Sequence, residues 1–153
     1  MNKMTQKRIL LWFPVAIWFA FISFLSSIPG NTISTIPSII LQFINYPGNP
    51  FSKVPIDLYL FWGHRIAHFL EYSVLGSLVM RAYSKEKVRI TVMTILFLSC
   101  FIFLSGCLDE WHQSFVPGRS PQLIDAIFDA ICGTLGMLMY KMLRSTPDHR
   151  RFE

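Results

Sequence analysis

The stretch Gly106-Cys-Leu-Asp-Glu-Trp-His-Gln-Ser-Phe-Val-Pro-Gly-Arg-Ser120 separates two long apolar runs, and the second run carries Asp125 and Asp129. A second polar segment, Gly63-His-Arg-Ile-Ala-His-Phe-Leu-Glu-Tyr-Ser-Val-Leu-Gly76, sits in an apolar run of its own. At helical spacing, His64, Arg65, His68, Glu71, Tyr72 and Leu75 fall within about 120° of arc, one stripe about 12 Å long. Carboxylates and imidazoles can exchange protons with a reacting group, and guanidinium groups can grip a phosphate or carboxylate. Ionisable groups at membrane depth are costly, so they usually mark a working site.

His68, Glu71, Asp109, Glu110 and His112 are the candidate acid–base residues. His68 or His112 would work with Glu110 or Asp109. Arg65, Tyr72, Gln113, Arg119, Asp125 and Asp129 are the candidate binding residues. Arg65 and Arg119 would hold an anion, and Asp125 and Asp129 would orient a histidine or hold a cation. With every carboxylate ionised and the histidines neutral, the set is too negative for a poor dielectric. Protonated carboxyls, protonated histidines or a bound cation would each relieve it. No cofactor is expected. A divalent cation is one of those three remedies, since His68, Glu71, Glu110, His112 and Asp129 are N and O donors. No H-E-x-x-H motif and no G-x-S-x-G elbow is present. The structural alternative is that Asp109, Glu110 and Arg119 pin a loop, Asp125 complements a helix dipole, and Arg65 pairs with Glu71 or Asp129.

The elements that must position these groups are membrane helices. The 153-residue chain is 52% hydrophobic and only 15% charged, with a mean hydropathy of +0.43. A soluble domain carries about a quarter charged residues. The apolar residues fall into blocks of about 20, the length that crosses a bilayer. The expectation is a single all-α domain over 1–153, an integral bundle with transmembrane helices at 9–27, 56–83, 88–111 and 121–143. The 28–55 loop carries five prolines and an apolar piece at 36–44, too short to span. It is expected to lie in the interface or fold over the outer mouth as a lid.

The net charge of +5 is a topology signal rather than a nucleic-acid surface. Lys3, Lys7 and Arg8 precede the first block, Arg81, Lys85, Lys87 and Arg89 join the second to the third, and Lys141, Arg144, Arg150 and Arg151 follow the fourth. The positive-inside rule then puts both termini in the cytoplasm and both polar segments near the external surface. The first block is too long for a signal-peptide core and lacks an A-x-A site, so it reads as an uncleaved helix. Cys100, Cys107 and Cys132 lie in apolar blocks without metal-ligand spacing and read as small hydrophobes. Trp12, Trp18, Trp62 and Trp111 read as core or interface anchors.

The two polar segments resemble the VanZ-like family of small bacterial membrane proteins. The first is similar to the family's basic-x-x-His-Phe-x-x-Tyr-x-x-Leu-Gly segment. The second matches as Asp-Glu-x-His-Gln-x-Phe-x-Pro-Gly-Arg, then Asp125, Asp129 and Gly133, and Ser26-Ser27-x-Pro29 also fits. His64-Arg65 stands where the family often has Asp-Lys, which keeps the cation but not amine chemistry. The resemblance implies a multi-pass cell-membrane protein, the named member being linked to teicoplanin resistance. A phosphotransbutyrylase label carried by some relatives has no support in this chain. The expected function is an outward-facing polar pocket that takes the head group of a membrane lipid or cell-envelope precursor and modifies it in an enzymatic version. The alternatives are a non-catalytic binding or accessory protein and a small transporter.

Overall fold

The structure, a computed structural model, describes residues 3–29, 56–86 and 89–145. Among these residues the fold is all-α, with α1 Lys3–Ser26, α2 Ile56–Lys85, α3 Val92–Gln113 and α4 Leu123–Ser145. Helices α1, α3 and α4 are long and apolar enough to cross a membrane. Helix α2 is the longest, at 30 residues, but its polar stripe keeps it outside that class. The expected lid at 36–44 lies outside the described residues.

Helix ends differ from the hydropathy pattern for local reasons. Helix α1 begins at Lys3, six residues before the apolar block opens at Ile9, because a helix can continue into water where hydropathy no longer marks it. Helix α3 starts at Val92 because Thr91 caps it. The Thr91 hydroxyl accepts the Thr94 N–H, and the Thr94 hydroxyl accepts the Thr91 N–H. This reciprocal box satisfies donors that would otherwise lack intrahelical partners. Thr91→Ala should lower unfolding stability in detergent by about 1 kcal/mol. Identical denaturation curves for variant and wild type would show that the cap contributes nothing.

Interhelical hydrogen bonds define the bundle. The α2–α4 pairs Arg65–Asp125, His68–Asp129, Ser73–Cys132 and Ser77–Gly136 have sequence separations of 60, 61, 59 and 59. A constant separation means that α2 and α4 run parallel. Helices α3 and α4 run antiparallel, since the separation falls from 35 at Ser99–Thr134 to 12 at Glu110–Gln122. Helix α1 is antiparallel to α2, through Trp12–Glu86 and Trp18–Glu71, and its C-terminus meets that of α3 at Ser26–Asp109. The chain thus alternates direction from helix to helix.

Small residues let α2 and α4 touch backbone to backbone. A Cβ at Gly76 would collide with the Gly133 carbonyl, and one at Gly136 with the Ser73 carbonyl. The close approach brings the Ser73 hydroxyl to the Cys132 carbonyl (3.2 Å) and the Ser77 hydroxyl to the Gly136 carbonyl (3.0 Å). Between nonpolar helices in lipid, such close packing and hydrogen bonding replace the hydrophobic drive available in water. The core below is apolar: Ile22, Leu75, Val79, Met80, Ile102 and Met137 are fully enclosed. All three cysteines are free.

Candidate functional site

The alternating directions bring the C-terminal ends of α1 and α3 to the same end of the bundle as the N-terminal halves of α2 and α4. Every polar cluster singled out in the sequence belongs to one of those parts. Their convergence follows from the order and direction of the helices, not from any local motif.

On the α2–α4 seam, His68 Nδ1 lies 2.9 Å from Asp129 Oδ1, with Asp129 completely buried and His68 nearly so. One turn further out, Arg65 Nη1 is bonded to Asp125 Oδ1, and His64 Nε2 stands 3.6 Å from Asp125 Oδ2. Steps of three and four residues explain this: 65 and 68 share the stripe on α2, and 125 and 129 share a face on α4. The Arg65 guanidinium lies between the Phe61 and Phe128 rings, 5.4 Å from each centroid, which fixes its direction. The His64 and His68 rings are 4.3 Å apart, and the Tyr72 ring lies nearly parallel to His68 at 6.1 Å.

Helix α3 supplies the second half. Asp109 Oδ2 accepts the Ser26 hydroxyl and the Gln113 amide, both at 2.8 Å. Gln113 sits one turn beyond Asp109, so its amide can reach back along the helix. Glu110 Oε2 accepts the Gln122 backbone N–H at 2.7 Å, a donor exposed by the start of α4. The connecting segment turns at Val116-Pro117-Gly118-Arg119. The Arg119 N–H bonds the Val116 carbonyl, and Gly118 has φ 75°, the conformation a Pro-Gly turn of this type requires at its third residue. That turn sends Arg119 back toward α1, where its Nε donates to the Ile28 carbonyl at 3.3 Å. Arg119 remains within electrostatic range of His64 and Glu71 and has no carboxylate partner among the described residues.

The expected residues therefore separate into distinct placements. Arg65, His68, Tyr72, Asp109, Glu110, Gln113, Asp125 and Asp129 converge on the bundle interior. Glu71 is half-buried beside them, within electrostatic range of His68 and Asp109. His112 is exposed, and its Nε2 pairs with the Ser27 hydroxyl at 3.0 Å rather than with a carboxylate. Two positions apart on a helix, Glu110 and His112 point about 200° apart and do not face each other. No three His, Cys, Asp or Glu side chains among the described residues converge to hold a metal ion.

A model of the VanZ/LLP1 family matches residues 11–144, a range that includes every polar group just placed. The chain belongs to the VanZ/LLP1 family. No curated protein and no solved structure matches it.

In this VanZ/LLP1 chain, sequence reasoning left three contributors without a role. Ser26 supports Asp109, Ser27 holds His112, and the Gln122 backbone holds Glu110. The Ser26-Ser27-x-Pro29 run was the only available signal for the first two. A backbone donor leaves no signal in residue identity.

Proposed function

We propose that the chain is a four-span protein of the bacterial cell membrane whose polar end faces outward and takes the head group of a membrane lipid or cell-envelope precursor. In this reading α2 is the fourth span, since its stripe is turned inward and its outer surface over residues 61–74 is largely apolar, with Phe61, Ile66, Phe69, Leu70 and Val74 exposed. Basic residues Lys7, Arg8, Arg81, Lys85, Arg89, Lys141 and Arg144 lie at or near the opposite end, which supports cytoplasmic termini. The observation that carries the proposal is the convergence of ionisable side chains from α2, α3 and α4 in one buried layer at one end of an apolar bundle. The core toward the other end, Val79, Met80, Ala82, Leu98 and Met137, holds no buried ionisable side chain among the described residues, which disfavours a transporter.

The His68–Asp129 pair favours a catalytic version over a purely binding one. A buried carboxylate on Nδ1 orients the ring and stabilises its protonated form, leaving Nε2 to move a proton on a bound group. Arg119, with no carboxylate partner among the described residues, would hold the phosphate or carboxylate of that group. Arg65 would position Asp125 and brace the outer layer. The family resemblance further points to an effect on teicoplanin susceptibility through the envelope component bound.

The test is a bacterial lipid extract incubated with purified protein and read by mass spectrometry. Wild type should deplete or selectively retain one head-group class. Arg119→Ala should weaken that selection by about 10- to 100-fold, the range for losing a charged hydrogen bond. A lipid profile unaltered by wild type, with no class retained, removes both versions.

A further inference from the structure

Among the described residues, three buried carboxyl groups in the cluster are used in the same incomplete way. Asp109 spends Oδ2 on Ser26 and Gln113 and leaves Oδ1 without a donor. Glu110 spends Oε2 on the Gln122 N–H and leaves Oε1 bare. Asp129 spends Oδ1 on His68 and leaves Oδ2 bare. The Tyr72 hydroxyl, on a side chain 0% exposed, is also without a partner among the described residues. The four belong to one layer. Asp129 Oδ2 lies against Gly106, one turn before Asp109 and Glu110 on α3, and the Tyr72 hydroxyl is within electrostatic range of all three carboxylates. Buried acceptors are normally paired, and each unpaired one is costly.

A bound group that satisfied these oxygens would bring hydrogen-bond donors and positive charge. Arg65 offsets Asp125, and His68 faces Asp129. Among the described residues, Asp109 and Glu110 receive only neutral donors, namely a hydroxyl, an amide and a backbone N–H. A metal ion does not fit, since no three acidic or histidine side chains among the described residues converge tightly enough to ligate one. An ammonium group has the matching chemistry: it carries three donors and one charge. A quaternary ammonium has the charge but no N–H.

We propose that this layer binds a primary ammonium, the amine end of a head group. The inference rests on the head-group reading above and narrows it to amine-bearing molecules. In a zwitterionic head group the neighbouring phosphate would meet Arg119, outside the acidic layer.

The test uses the full chain, delipidated and then reconstituted in nanodiscs of phosphatidylethanolamine, phosphatidylcholine or phosphatidylglycerol, with native mass spectrometry counting retained lipids. Phosphatidylethanolamine should be retained at least tenfold over both others. Tyr72→Phe should lower that retention about tenfold while the melting temperature of the delipidated protein stays level or rises, because the variant deletes an unpartnered hydroxyl. Glu110→Gln should lower phosphatidylethanolamine retention and leave phosphatidylglycerol unaffected. Soluble ethanolammonium is the second arm. Displacement of the lipid by it supports the amine assignment and points to a soluble amine as sufficient, whereas retention that resists it supports a lipid-borne amine. Equal retention of all three lipids with Tyr72→Phe silent overturns the ammonium assignment and leaves the head-group reading standing. Retention of none overturns both.

Discussion

Gly76→Ala should destabilise the bundle by about 3 kcal/mol, and Gly136→Ala by a similar amount, values at the upper end for overpacking. At both positions the added methyl meets backbone rather than a flexible side chain: the Gly133 carbonyl in one case, the Ser73 carbonyl in the other. Neither backbone can move without separating α2 from α4. Separation would also break the Ser73–Cys132 and Ser77–Gly136 hydrogen bonds and loosen the register that sets His68 opposite Asp129. Gly63 is the internal control. Nothing lies within 4 Å of a Cβ built there, so Gly63→Ala should add about 0.5–1 kcal/mol through helix propensity alone. Melting of purified variants in detergent, followed by tryptophan fluorescence, reads all three. A Gly76→Ala protein that melts with wild type would mean that the helices do not meet at these glycines.

Asp129→Asn should lower turnover in the catalytic reading by roughly 10³-fold while leaving the bundle folded. Asparagine keeps the shape of the side chain and can still hydrogen-bond His68, but it carries no charge to stabilise the imidazolium. Because Asp129 is completely buried and His68 nearly so, little solvent is at hand to compensate. Asp125→Asn is the comparison: it weakens the partner of Arg65 in the outer layer and should act on substrate affinity more than on turnover. Retained affinity in Asp129→Asn together with no measurable turnover in wild type would favour the purely binding version. Wild-type turnover that survives Asp129→Asn within a factor of two or three would rule out the His68–Asp129 pair as the proton-moving unit.

Apolar block length was enough to announce the helices, since a chain in lipid must satisfy its backbone internally and a helix is the local way to do so. The arc of His64 through Leu75 and the shared face of Asp125 and Asp129 were equally legible, because helical periodicity is a property of spacing alone. Exact ends were not: the Thr91–Thr94 box set the start of α3 through two reciprocal hydrogen bonds that hydropathy does not register.

Partner choice belonged to the tertiary level. Arg65 could have met Glu71 on its own helix, or Asp129, and only the offset of about 60 residues between the parallel helices α2 and α4 gave it Asp125 and gave His68 Asp129. His112 was indistinguishable from His68 as a candidate until its position on α3 turned it to the outside and Ser27. Composition and periodicity act along one helix, so they determine which face is polar. Which polar face meets which is decided where two backbones touch, and here that depended on glycines at 76, 133 and 136.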